Sequence, residues 1–222
     1  MQEIVRSELE TAIAAAAARG SDVTVLDAGC GRVSALRPFR DRIASFVGAD
    51  IHAVAPGTLP HLDDFVVADL CRDTDAFAPG SFDVVLSSFT IEHFADPPAA
   101  FANFARWLRP GGVLVATTVN RRHPFVWAYL SAPRALRNGV QPLVKATTAD
   151  AHPIVGVCNS PEAIRSALTG AGFGTIRMSV VGHLARAWSR RLPTYAIGLV
   201  GDLAAQAASS RRSTIVVAAS KA

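Results

Sequence analysis

Three acids and two glycines stand where a nucleoside could be gripped: Asp27, Gly29 and Gly31 in VLDAGCGRV, Asp50 in GADIH and Asp69 in VVADL. Glycine has no Cβ, so backbone at Gly29 and Gly31 can approach a ligand closely. Asp50 follows Gly31 by nineteen residues, and an acid there can accept hydrogen bonds from both hydroxyls of a ribose. Asp27 precedes Gly29 by two residues, where its charge would oppose a pyrophosphate and welcome a cation. These signs disfavour a dinucleotide. They favour a nucleoside that carries positive charge and no phosphate.

The elements that must hold these residues are visible in the apolar pattern. Residues 2–18 repeat at helical spacing through Ile4, Val5, Leu9 and Ile13, which predicts an amphipathic helix. Short β-branched runs follow at 23–28, 45–50, 65–70, 82–88 and 112–118. Helical stretches are expected between them, one after the Gly29–Gly31 turn and the clearest at 97–108, whose prolines suit a first turn. Strands apolar on both faces and separated by helices indicate a parallel sheet covered on each side. Pro110-Gly111-Gly112 reads as a tight turn into the fifth strand.

After residue 118 the rhythm loosens. The stretch 119–157, rich in proline and aromatics, suits a lid or substrate loop. SPEAIRSALTGAGF has a serine cap, a first-turn proline and a terminating glycine, so a helix is expected. GTIRMSVVGHL and RSTIVVAASK read as two last strands around a helical segment at 193–208. Residues 1–222 are expected to form a single domain, with 1–118 the cofactor-binding half and 119–222 the substrate and lid segments and final strands.

Composition excludes several classes. Half of the 222 residues are hydrophobic and 18% are charged, which argues against disorder. The start MQEIVRSELE lacks the basic region and apolar block of a signal peptide, and no apolar run approaches the roughly 18 residues of a spanning helix. Cys30, Cys71 and Cys158 are odd in number and widely spaced, which suits reduced thiols and a cytoplasmic location. The net charge of +4 divides into −6 over residues 1–118 and +10 over 119–222. A basic half suits an anionic substrate, a nucleic acid or a membrane surface; a dispersed, solvated face would look the same.

Five segments in order, VLDAGCGRV, GADIH, VVADL, FDVVLSSFTIEHFADP and LRPGGVLVATT, resemble those of the class I S-adenosylmethionine-dependent methyltransferases, of the small-molecule type. The resemblance is close over residues 23–118 and looser beyond. It implies an α/β, Rossmann-like three-layer sandwich whose seven-stranded, mostly parallel sheet has the order 3-2-1-4-5-7-6 with the last strand antiparallel. It implies S-adenosyl-L-methionine as cofactor and S-adenosyl-L-homocysteine as product, with Asp27, Gly29 and Gly31 lining the methionine portion. Asp50 would hold the ribose and Ile51 would pack on the adenine. Asp69 and Leu70 would meet the adenine edge, and the Ser87 carbonyl would face the methionine ammonium. The chain departs from the family pattern at Val33, where a third glycine is usual; valine resists positive φ there.

Methyl transfer to a hydroxyl benefits from a general base near neutral pKa. His93, just after the fourth strand, is the leading candidate, and His123 the alternative; either could instead be a hydrogen-bonding loop histidine. Some quinone-type O-methyltransferases carry Glu-x-x-Glu-His and a divalent metal at this point. Here the first of those positions is Phe89, so no metal is expected. Arg121, Arg122, Trp127 and Tyr129 read either as an acceptor pocket with an anion clamp or as an aromatic face packed on the sheet. Arg186, Arg190 and Arg191 precede the apolar stretch LPTYAIGLVGDL and could touch lipid headgroups or another chain. The sum is a methyltransferase for a small molecule, acting on oxygen, with an anionic, glycan- or lipid-linked acceptor within range, as a monomer or homodimer. A catalytically silent scaffold protein and an RNA methyltransferase are the competing readings, the latter without an appended RNA-binding module.

Overall fold

Five apolar runs become the parallel strands β1 (Thr24–Ala28), β2 (Ser45–Asp50), β3 (Asp64–Val67), β4 (Phe82–Ser88) and β5 (Leu108–Val119). With β6 (Phe173–Val181) and β7 (Thr214–Lys221) they form one seven-stranded sheet of order β3-β2-β1-β4-β5-β7-β6. β7 runs antiparallel to both β5 and β6. This computed structural model describes residues 1–20, 22–31, 34–55, 57–133, 135–136, 154–187, 192–205 and 208–222. Val33, Arg190 and Arg191 lie outside them, as do residues 137–153.

Alternate side chains of the central strands feed two cores. Val25, Val84, Val115 and Val216 pack with Val5, Leu9 and Ile13 of helix α1 (Gln2–Ala18). Leu26, Val85, Leu114 and Val217 pack against the other layer, helices α2 (Pro97–Trp107) and α4 (Pro161–Gly170), through Phe101, Phe104, Trp107, Ile164 and Leu168. Full burial of such a side chain stabilises by roughly 1.5–3 kcal/mol relative to exposure. Helix starts follow their caps: Asp96 accepts from Ala99 N at 3.1 Å and Ser160 Oγ from Ala163 N at 3.3 Å, with a proline next in each case. Between β5 and α4 lies α3 (Pro124–Ser131); α5 (Leu184–Ala187) and α6 (Leu192–Ala204) stand between β6 and β7.

The structure corrects several sequence expectations. The β1–β2 crossover holds a 3₁₀ helix at Arg37–Arg42, with a proline in its first turn, and no α-helix among the described residues. Between β2 and β3 the described chain is turns and bends. β3 stops at Val67, so Asp69 belongs to the following turn. Pro110-Gly111-Gly112 lies inside β5 as a bulge, for Leu108 pairs with Phe82 and Val113 with Val84. Part of the expected loop 119–157 is α3, whose first turn His123 caps.

Opposite that bulge, between Phe82 and Val84, stands a buried carboxylate. Asp83 accepts from Arg109 Nη1 at 2.6 Å, Arg19 Nη2 at 3.0 Å and Thr24 N at 3.0 Å. It ties the end of α1, the start of β1 and the β5 bulge together at the edge opposite the strand C-termini. The open edge is left for ligands.

Candidate active site

Parallel strands bring their C-terminal ends to one edge of the sheet. β1 delivers Asp27 there, β2 delivers Asp50 and β4 delivers Ser87. Val119 and Val181 both pair with Thr214, so the end of β6 and the start of β7 reach the same edge.

Asp27 carries the main electrostatic tension. It is 2% exposed, and its Oδ2 is buried without a hydrogen-bond partner. Burial pushes its pKa up to about 7; a hydrogen bond from Ser34 pulls down and the Asp50 charge adds to the rise. Asp50 is engaged but reachable: it accepts from Gly31 N at 3.3 Å and from His52 N at 3.2 Å. Burial and both carboxylates raise the adjacent Cys30 thiol to about 12, so it stays protonated.

The glycine turn between them has little choice of residue. Gly29 has φ +76°, and a Cβ there would stand 2.3 Å from Thr90 Cγ2. Gly29 N and Cys30 N both donate to Ala49 O, at 2.7 and 3.2 Å, which pins the turn to β2. Gly31, at φ +50°, has open space where a Cβ would point. Backbone is therefore bare beside two acids.

The remaining cofactor candidates divide. Ile51 is 52% exposed just past β2, an apolar surface available for stacking. Ser87 is fully buried in β4 and its Oγ has no partner. Asp69 closes its own turn, accepting from Cys71 N at 2.9 Å with Arg72 Nε at 3.7 Å. The Leu70 side chain packs in the core, and its carbonyl accepts from Asn103 Nδ2 at 2.9 Å.

Beyond β4 the chain is strained and then locked. Phe89 has φ +54°, a conformation unusual for a bulky residue and characteristic of functional sites. Its ring stacks on His183 at 6.2 Å between centroids. A short 3₁₀ turn, Ile91–His93, follows. Glu92 at its centre is buried and accepts from Thr118 Oγ1 at 2.8 Å; Asn159 Nδ2 donates to that same hydroxyl at 2.7 Å. The Glu92 carbonyl accepts from Val155 N and Gly156 N. His93 is half-buried at the end of this anchored turn.

His123 occupies a different environment. It is fully buried, and its Nδ1 accepts from Phe125 N at 3.3 Å as the cap of α3. Burial lowers its pKa, with the Gly201 backbone and Asp202 pulling the other way. A Cβ on Gly201 would meet Phe125 Cδ2 at 2.7 Å and His123 Cε1 at 3.1 Å, so α3 and α6 touch closely here. Arg122 is paired to Glu162 at 2.9 Å, Arg121 is exposed, Tyr129 is half-buried and Trp127 is 58% exposed. His183, which the sequence did not single out, reaches the site edge through Phe89; burial, the N-terminal amine and Arg186 lower its pKa, and Asp202 opposes them.

This arrangement suits a cationic nucleoside. The orphaned Asp27 oxygen lacks a donor or a positive charge, the Gly31 turn leaves room, and Asp50 and Ile51 stand beside it. A phosphate would face two carboxylates. Among the described residues, no group of three His, Cys, Asp or Glu side chains could hold a metal ion.

Comparison with known proteins agrees with the geometry. A family model described as a methyltransferase domain matches residues 1–177. Nocamycin O-methyltransferase of Saccharothrix syringae is 32% identical over 170 residues, covering 70% of this chain and 60% of that protein. A ubiquinone biosynthesis O-methyltransferase of Cereibacter sphaeroides is 34% identical over 122 residues, 51% of this chain and 48% of its own length. The chain thus spans about half to three-fifths of the length of these relatives. The structure of Haemonchus contortus phosphoethanolamine N-methyltransferase 2 with S-adenosyl-L-methionine superposes with a TM-score of 0.58 at 18% identity, over 90% of this chain and 49% of that one. That likeness concerns the fold.

Proposed function

Since the chain belongs to the class I S-adenosylmethionine-dependent methyltransferases, we propose that it methylates an oxygen atom of a small molecule. The observation that carries this is Asp27: a buried, partnerless carboxylate oxygen, held near neutral pKa beside Asp50 and a bare glycine turn. Once ionised, such a group favours a hydrogen-bond donor or a cation beside it. S-adenosylmethionine supplies an ammonium there and, at its sulfonium, a methyl carbon already activated for displacement.

The residues of this chain then bind and orient. Asp27, Gly29 and Gly31 line the methionine portion, Asp50 takes the ribose hydroxyls and Ile51 covers one adenine face. The Ser87 carbonyl faces the ammonium, and Asp69 and Leu70 border the adenine through their turn. Displacement at carbon asks mainly for alignment and exclusion of water. His93 takes the acceptor's proton: it stands on a turn that Glu92, Thr118 and Asn159 hold in place. His123, buried as a helix cap, supports α3 instead. Arg121, Trp127 and Tyr129 border the acceptor, while Arg122 is drawn off by Glu162. Oxygen as the acceptor atom is supported by the names of the two relatives above. They lend no support to an anionic or glycan acceptor. Transfer of labelled methyl from S-adenosylmethionine into fractionated small-molecule extracts tests the proposal; label appearing only in RNA or protein refutes it.

A further inference from the structure

Helix α6 (Leu192–Ala204) is turned inside out relative to an ordinary surface helix. Gly198 and Gly201 face the protein: a Cβ on Gly198 would lie 2.8 Å from Ala185 Cα, and one on Gly201 would strike Phe125. The helix's one charged side chain, Asp202, also turns inward, accepting from Ala185 N at 2.9 Å and Ser213 Oγ at 3.1 Å. What remains outside is apolar. Tyr195, Ile197, Leu199, Val200 and Leu203 are 38% to 60% exposed. At helical spacing they sweep roughly 200° of the circumference. A water-facing helix normally carries charge on that side.

The surroundings say what could cover it. Residues 119–222 carry +10, and their three acids include Asp202, bonded inward, and Glu162, paired to Arg122. Arg186 on α5 and Arg211 just before β7 are exposed at the two ends of the segment that contains α6. In sequence, Arg190 and Arg191 stand immediately before it. Two copies meeting through α6 would bring two strongly basic halves together. An anionic lipid surface offers hydrocarbon to the apolar face and negative charge to the arginines. The span is short: among the described residues no helix is long and apolar enough to cross a membrane. We propose that α6 lies flat in the interface of an anionic bilayer and docks the protein there. Because α6 connects the end of β6 to the start of β7, docking sets the C-terminal sheet edge next to the lipid. This holds whether or not the site transfers methyl groups.

Flotation of the full chain with vesicles tests it. The protein should float with phosphatidylglycerol vesicles and remain behind with phosphatidylcholine, and 0.5 M salt, which shortens the screening length to a few ångströms, should release most of it. Ile197→Asp with Val200→Asp should cut the vesicle-bound fraction at least about tenfold, with thermal unfolding unchanged because both side chains already face water. Arg186→Glu with Arg211→Glu should weaken binding to phosphatidylglycerol as salt does. Absence of binding overturns the proposal, and so does equal binding to both lipids. A concentration-dependent dimer in sedimentation, abolished by the α6 double variant, would assign this face to a second copy and equally overturn it.

Discussion

Cofactor affinity should depend on pH with a slope set by one carboxylate. Asp27 has its pKa raised from 3.8 to about 7, mainly by burial. In the ligand-free protein the folded state therefore holds a proton that the unfolded chain releases above pH 4. The sign follows: this contribution to stability is present below pH 4 and is lost as pH climbs to 7. Its full size is about 4 kcal/mol, taking about 1.4 kcal/mol per unit. A bound ammonium reverses the preference and needs the ionised form. At pH 6 about one-tenth of such a group is ionised, so S-adenosylhomocysteine should bind about tenfold more weakly than at pH 8. Titration calorimetry in two buffers of different ionisation enthalpy should show about one proton released per ligand below pH 7. Asp27→Asn should remove both the pH dependence and the proton release, bind weakly at pH 8, and melt higher than the parent at that pH. An affinity that stays flat from pH 5.5 to 8 refutes the reasoning. So does an asparagine variant that binds as the parent does.

Gly29→Ala combines positive φ with a clash against Thr90, and should cost roughly 2–5 kcal/mol of stability; chemical denaturation checks this, and pairing it with Thr90→Gly should restore part of the loss. His93→Gln should lower kcat about 100-fold while S-adenosylhomocysteine affinity is kept, as expected of a lost general base; steady-state kinetics beside calorimetry separates the two. His123→Ala should instead destabilise by about 1–3 kcal/mol, since it removes a helix cap and opens space against Gly201, and a melting curve reads that. Asp83→Ala leaves Arg19 and Arg109 without their shared carboxylate at the far edge and should cost about 3 kcal/mol with cofactor affinity unchanged.

The strands and the acids near their ends were legible because buried parallel strands announce themselves as apolar runs, with Asp27 next to last in one and Asp50 last in another. The sheet order, by contrast, was an expectation carried by the family resemblance. The α4 start was legible from Ser160 and Pro161 for an equally local reason. What escaped reading is what only assembly creates. Thr118 meets Glu92 across 26 residues and Asn159 across 41, and no periodicity marks either pair. The Phe89–His183 stack likewise needs β6 and β7 in place before the rings can meet. The β1–β2 crossover misled for another reason: its residues look helical, yet the return to β2 leaves a 3₁₀ helix with Pro38 near its start. The β5 bulge hid because Pro110 and two glycines signal a turn wherever they stand, and only pairing with β4 reveals that the strand had already begun at Leu108.

Everything proposed for this edge of the sheet rests on a preference for a nucleoside that bears an ammonium over one that bears a pyrophosphate. Calorimetric titration at pH 8 with S-adenosylhomocysteine, beside NAD as the phosphate-bearing competitor, measures that preference directly. Micromolar binding of the first and none of the second is the predicted result. Tight binding of NAD, or no binding of S-adenosylhomocysteine at millimolar concentration, contradicts it.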